Sequence, residues 1–264
     1  MRFSRAIRTL FKRKPVSAEV SDPFTPPREL IDGVGGGDFA AVGQGFFTHF
    51  TAIGGLQPGH RVLDVGCGCG RMAVPMIPFL QGPGEYWGFD IVPAAIAWCR
   101  THITARHPRF HFDQADIFNK VYNPKGKAFS SEYRFPYEDN FFDFTILTSV
   151  FTHMLAADME HYLAEIVRTL KPGGRCMISY FLLNSEARAL MAAGKSNPTF
   201  EHPWPGCVIS NQKYPEAAVA YDEQSIRELL VKHGLSLVEP VHYGSWPGRK
   251  NFLSYQDILL AIKS

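Results

Sequence analysis

Three glycines at alternate positions follow an apolar stretch in Val62-Leu63-Asp64-Val65-Gly66-Cys67-Gly68-Cys69-Gly70-Arg71. Glycine is needed where backbone approaches a ligand closely or takes a positive φ. A turn of this kind at the carboxyl end of a strand sits where open α/β sheets bind their ligands. The spacing is G-x-G-x-G, not the G-x-G-x-x-G of the dinucleotide fingerprint. Asp64 places a carboxylate close to the turn, where it repels a diphosphate and attracts a positively charged ligand. Two more strand-like segments end in acids: Asp90 in Gly88-Phe89-Asp90-Ile91-Val92-Pro93, and Asp116 in Gln114-Ala115-Asp116-Ile117. Together the three carboxylates suit a cationic ligand that also carries hydroxyl and amino groups.

Such residues need a scaffold that brings strand ends to one edge. Strand and helix signals alternate, as a parallel sheet requires. Residues 61–65 read as a first strand, with a helix expected over 71–80. A second strand covers 85–90, and Pro93 opens a helix over 94–107. Residues 109–114 form a third strand. Residues 142–148 form a fourth, almost continuously apolar as in a strand buried on both faces. A helix over 156–170 stops at Lys171-Pro172-Gly173-Gly174, which turns into a fifth strand, 175–181. A helix over 225–233 ends at Gly234, and strands at 235–241 and 252–262 close the chain as a hairpin-like pair.

A short N-terminal segment and a single domain follow. Residues 1–27 are a basic N-terminal helix and a proline-rich linker; residues 28–264 are one α/β domain with insertions at 118–137 and 183–221. Connections this long are usually lids or disordered segments. Their aromatics (Tyr122, Phe129, Tyr133 and Phe135; Phe200, Trp204, Tyr214 and Tyr221) argue against disorder. They are expected to build an acceptor pocket. The run Gly33-Val34-Gly35-Gly36-Gly37-Asp38-Phe39 reads either as a hinge or as a segment that folds over the ligand.

The string around Gly66 resembles motif I of the class I S-adenosylmethionine-dependent methyltransferases, of the type 11/25 kind. Phe135-Pro136-Tyr137-Glu138-Asp139-Asn140-Phe141-Phe142-Asp143 is similar to the family's F-P-x-x-D-x-S-F-D approach, with Phe141 in the serine position. Leu170-Lys171-Pro172-Gly173-Gly174 is similar to its LKPGG turn. The likeness covers 59–181 and, more loosely, the last strands. It implies a seven-stranded, mostly parallel sheet with helices on both faces and an antiparallel last strand, and it implies S-adenosylmethionine as cofactor. Asp64 and the backbone of Gly66, Gly68 and Gly70 would hold the methionine end. Asp90 would take the ribose and Ile91 one face of the adenine. Asp116 would accept from the adenine amino group while the Ile117 N–H donates to a ring nitrogen. Thr148, Ser149 and Phe151 would supply main-chain acceptors for the amino group and a wall beside the sulfur. Arg71 would pair with the methionine carboxylate or form a surface salt bridge. Two rivals stand beside this reading. One is a protein of the same fold that binds the cofactor without transferring methyl; the other is an NAD-dependent oxidoreductase, against which the glycine spacing and Asp116 count.

Methyl transfer is an in-line displacement in which alignment supplies much of the rate. A base is needed only when the acceptor enters protonated, as an alcohol or phenol does. Among ten histidines, His153 in Thr148-Ser149-Val150-Phe151-Thr152-His153-Met154 is the first candidate base. A helix-start or core histidine is the plainer account of it. His242 with Tyr243 comes second, and His202 with Tyr214 third. O-methylation of a small or medium-sized acceptor is favoured. Thr148-Ser149-Val150-Phe151 lacks the two prolines of the [N/D/S]-P-P-[Y/F/W] motif of base methylation, and a net charge of +2 gives no case for nucleic acid. The five cysteines include no C-x-x-C and read as reduced packing residues of a cytoplasmic protein. No metal is expected, since Cys67 and Cys69 have no further ligands at metal spacing. Residues 1–14 interleave Arg2, Arg5, Arg8, Lys12, Arg13 and Lys14 with Phe3, Ile7, Leu10 and Phe11. They read as a solvated tail or as a helix lying on an anionic membrane, which leaves a lipid- or glycan-linked acceptor open.

Overall fold

The computed structural model describes residues 22–264. The basic segment 1–14 lies outside the described residues. Two helices, α1 (Arg28–Gly33) and α2 (Phe39–Ala52), precede β1 (Arg61–Val65). β2 (Glu85–Asp90) leads to α3 (Pro93–Cys99), which widens into a π-helical turn, Arg100–Thr104, before β3 (Phe110–Gln114). β4 (Phe142–Leu147), α4 (Ala156–Thr169) and β5 (Leu170–Tyr180) follow. Then come β6 (Leu182–Leu183), α5 (Ser185–Ala192), β7 (His202–Trp204), β8 (Cys207–Ile209) and β9 (Val219–Asp222). α6 (Glu223–Lys232), β10 (Leu235–His242) and β11 (Asp257–Lys263) complete the chain.

The large sheet has seven strands in the order β10-β11-β5-β4-β1-β2-β3. β3, β2, β1, β4 and β5 run parallel, and β11 is antiparallel to both β5 and β10. The chain steps outward from β1 through β2 to β3, then returns to the other side of β1 with β4. The order therefore reverses between β1 and β4, and the carboxyl ends there form the crevice that an open sheet offers a ligand. Apolar side chains cover both faces. Phe50 of α2 and Ile96 and Cys99 of α3 pack on Val62, Phe144 and Met177. Leu163 and Ile166 of α4 with Ile226 and Leu230 of α6 pack on Leu63, Val65 and Ile178. Side-chain caps fix three helix starts: Asp38 accepts from Ala41 N, Asn184 from Ala187 N, and Asp222 from Ser225 N.

Three expectations need correction. Residues 71–80 hold no α-helix, only turns around a 3-10 segment, Val74–Met76. Pro75 and Pro78 lack the N–H groups that an α-helix would use there, and the segment bonds instead at mixed spacing, with Met76 N to Ala73 O and Leu80 N to Met76 O. The last strand begins at Asp257, because residues 243–256 form an irregular loop that pairs its side chains with other elements. The stretch 183–221 is an ordered subdomain rather than a plain loop. It contributes α5 and most of a second, four-stranded sheet in the order β6-β9-β8-β7. Phe181, Phe200 and Trp246 form an aromatic cluster beneath it.

Candidate active site

The glycine turn sits at the tip of β1 with all three glycines left-handed: φ is +76° at Gly66, +53° at Gly68 and +83° at Gly70. Neighbours press on it from three sides. A Cβ at Gly66 would lie 2.4 Å from Val150 Cγ2, in the loop after β4, and one at Gly70 would lie 2.5 Å from Ile103 Cδ1. At Gly68 the nearest atom would be Val34 Cβ at 3.2 Å. Val34 belongs to the glycine run, which is therefore packed across the turn rather than hanging as a free hinge. Arg71 fastens it by donating from Nη2 to Gly36 O at 2.6 Å. A Cβ at Gly43 would stand 2.5 Å from Arg71 O, so α2 is also seated on this segment. The salt bridge weighed for Arg71 does not form: among the described residues no carboxylate lies within ion-pair reach of it, and its buried Nε has no partner.

The acids take distinct places. Asp64 is fully buried in β1, where the Tyr86 hydroxyl donates to Oδ2 and Oδ1 has no partner. Gly88 stands opposite Asp64 in the sheet register, and Tyr86 two residues earlier reaches the space that a larger residue would fill. Burial pushes the Asp64 carboxyl up to about 7, helped by the Asp90 charge and opposed by the Tyr86 hydrogen bond. Asp90 accepts from Gly68 N and from Val92 N, each at 2.8 Å, so its carboxylate links the glycine turn to the start of α3. Its pKa is raised by burial, against those backbone donors. Ile91 is half-buried beside it, against the core. Asp116 lies further out, half exposed, with Lys127 Nζ at 3.9 Å. Ile117 is buried, and its carbonyl accepts from Asn123 Nδ2.

At the tip of β4, Ser149 takes a left-handed conformation, φ +63°. Its N–H donates to Ser179 Oγ at 2.7 Å and its Oγ accepts from Gln256 Nε2 at 2.8 Å. The Phe151 ring is wholly buried against Tyr180, with centroids 5.5 Å apart, so it is a packing side chain rather than an open wall. His153 stands where the two insertions meet. Its Nδ1 faces Glu216 O at 3.1 Å, and its ring meets Tyr122 edge-on at 6.4 Å. Burial lowers its pKa, opposed by the carbonyls of Glu216 and Ala217. Tyr122 in turn has its pKa raised by burial and by the charges of Asp90 and Glu216.

His242 does not join this group. It lies at the end of β10 on the side of α2, where burial and the nearby His49 charge lower its pKa. Tyr243, on the next residue, donates to both carboxylate oxygens of Glu223 and is committed there. His202 sits in β7, paired across to Ile209, and Lys120 lies over the Tyr214 ring at 5.3 Å. Sequence signals single out Tyr122 only as an aromatic of the first insertion, and they miss Tyr86, Glu216 and Gln256. The alternation that brings Tyr86 onto the face of Asp64 was present in the sequence; the approach of Glu216 and Gln256 depends on tertiary folding of long connections.

The polar atoms of the site discriminate between a cationic and an anionic nucleoside. A buried carboxylate oxygen without a donor, next to a second buried acid, is costly unless a positive group or a proton meets it. The segment directly after the turn forms no α-helix, whereas the dinucleotide fingerprint runs from its glycine turn straight into one. Both facts fit a sulfonium nucleoside and count against a dinucleotide.

Comparison with known proteins agrees. The model of the family described as "Methyltransferase domain" matches residues 38–240. The demethylmenaquinone methyltransferase of Lactiplantibacillus plantarum is 31% identical over 120 residues, 46% of this chain and 44% of that protein. The sterol 24-C-methyltransferase of Schizosaccharomyces pombe is 32% identical over 120 residues, 46% of this chain and 27% of that one. The chain thus spans less than half the length of these curated relatives. A crystal structure of the PH0226 protein from Pyrococcus horikoshii OT3 superposes with a TM-score of 0.59 at 16% identity, covering 88% of this chain and 93% of that one. At that identity the likeness shows the fold alone.

Proposed function

The chain belongs to the methyltransferase domain family, and on that premise we propose that it methylates an oxygen of a small or medium-sized, lipid-like acceptor, using S-adenosylmethionine. The observation that carries the acceptor chemistry is the contact between His153 Nδ1 and the Glu216 carbonyl. A carbonyl only accepts, so in the neutral ring Nδ1 bears the proton and Nε2 keeps its lone pair. Burial, the largest influence on this histidine, favours that neutral ring. Nε2 is then the base for an alcohol or phenol proton, beside Tyr122 at the mouth of the crevice. Two relatives named for a menaquinone precursor and a sterol support an apolar acceptor.

Asp64, Asp90 and the backbone of the glycine turn are the groups for the cofactor's methionine and ribose ends, with Ile91, Asp116 and Ile117 for its adenine. When bound, the cofactor supplies an electrophilic methyl group on a positively charged sulfur. The protein's part is to hold the acceptor oxygen in line, exclude water with the strap over Gly68, and take one proton on His153. The test is transfer of labelled methyl from S-adenosylmethionine into lipid and quinol-type extracts, with alkaline hydrolysis to separate ethers from esters. Label recovered as a methyl ether or ester agrees with the proposal, and label on carbon overturns the oxygen assignment. Cofactor binding without formation of S-adenosylhomocysteine would favour the non-enzymatic rival.

A further inference from the structure

The exposed large apolar side chains are not scattered. Among the described residues, and apart from Val231, all of them stand on segments that leave the carboxyl edge of the large sheet: Phe118, Val121, Tyr122 and Phe129 after β3, Trp204 after β5, and Phe252, Leu253 and Tyr255 between β10 and β11. The densest group is the loop Phe118-Asn119-Lys120-Val121-Tyr122-Asn123-Pro124-Lys125-Gly126-Lys127-Ala128-Phe129, which carries three lysines and no acid. Phe118 is 44% exposed, Val121 61% and Phe129 60%. A loop that groups exposed apolar side chains marks an interaction surface more often than singly scattered ones do. This one is held out by its own backbone. Phe118 N donates to Ala128 O, Asn119 and Asn123 exchange main-chain bonds, and Asn119 Oδ1 accepts from Val121 N and Tyr122 N. Gly126 lies so close to Ile117 that a Cβ there would fall 2.2 Å from the Ile117 carbonyl.

We propose that the loop 118–129 docks the protein on an anionic lipid surface, with Val121, Phe118 and Phe129 entering the acyl boundary and Lys120 and Lys125 lying among the headgroups. An exposed apolar tip flanked by lysines without a neighbouring acid in the loop is complementary to that surface in both its charge and its apolar depth. The same loop carries Tyr122 to His153, so docking sets the acceptor entrance against the bilayer. An apolar acceptor then reaches the base without crossing water. This inference rests on the reading of the acceptor as lipid-like.

Cosedimentation of the full chain with vesicles of phosphatidylglycerol, and separately of phosphatidylcholine, tests it. Wild type is expected to partition onto phosphatidylglycerol and to be released by salt. Val121→Ser combined with Phe129→Ser, and Lys120→Glu combined with Lys125→Glu, should each lower that partition by about tenfold or more. Cofactor affinity in solution should stay unchanged in both, which shows that the variants are folded. All five native cysteines are buried, so Val121→Cys can be labelled alone, and its dye should shift to the blue on phosphatidylglycerol only. Equal partition by the loop variants overturns docking through this loop. So does loss of binding only when Arg2, Arg5 and Arg8 are reversed to glutamate, or a vesicle-free dimer that the loop variants abolish. Vesicle binding that persists while no lipid-like compound is methylated separates the acceptor reading, which then fails alone.

Discussion

Gln256, one residue before β11, is clamped to Ser149 at the tip of β4. Its Nε2 donates to Ser149 Oγ at 2.8 Å, while its Oε1 accepts at 2.6 Å from Ser179 Oγ, the same oxygen that receives the Ser149 N–H. Three segments distant in sequence thereby hold a non-glycine residue in a left-handed conformation, which costs about 1–2 kcal/mol. That conformation carries Val150 across Gly66.

The first prediction concerns this clamp. Gln256→Leu should weaken S-adenosylmethionine binding by about 1–2 kcal/mol, since Ser149 is then free to relax. Adding Ser149→Gly, which adopts the same φ without steric cost, should recover most of the loss. Titration calorimetry on the single and double variants decides it. A single variant that binds like wild type would show that the clamp does not shape the crevice.

Asp64 makes the protein's stability sensitive to pH in a defined direction. Its carboxyl is raised to about 7 in the folded chain, against about 3.9 when unfolded. The folded state therefore keeps a proton that the unfolded chain has released, and stability from this group falls as pH rises from about 4 to about 7. Asp64→Asn should flatten the dependence. Denaturant midpoints of both proteins across that range, without cofactor, measure the difference.

His153→Gln should cost about 10²- to 10⁴-fold in methyl transfer to an alcohol or phenol, the usual contribution of a positioned base. Cofactor affinity should hold within about twofold. Because burial lowers the pKa of His153, the acidic limb of the wild-type rate should lie below the ordinary histidine value of about 6.5. A limb that persists in the glutamine variant would assign it to another group.

Asp90→Ala removes the acceptor shared by Gly68 N and Val92 N. Cofactor binding should weaken by about 1–3 kcal/mol, and thermal stability should drop as well, since the carboxylate also joins the turn to α3. Calorimetry and a melting curve together separate the two effects. A variant that melts lower yet binds normally would confine Asp90 to a structural role.

Much of this was legible before any coordinates. Asp64, Asp90 and Asp116 lie at or just beyond the carboxyl ends of strands that apolar patterning marks clearly, and the glycines of the turn are forced by positive φ, so the sheet and its crevice could be read from local chemistry. The helix after the turn was misread because apolar spacing was weighed above Pro75 and Pro78, which remove its donors. Of the two partners read for Arg71, the surface salt bridge does not form, and Nη2 satisfies a glycine carbonyl 35 positions earlier. Tyr243, read as a reserve base, is held by Glu223. Each of these depends on which segments fold together, and a single chain without its contacts does not say.

The strap from Val34 to Gly36 has a kinetic consequence. It lies on Gly68 and is pinned by Arg71, so under the proposed function release of the spent nucleoside is expected to wait on that latch. Turnover is then expected to run on two clocks, a chemical one that the proposal gives to His153 and a mechanical one kept by a single guanidinium. Thickening the solvent slows only the second.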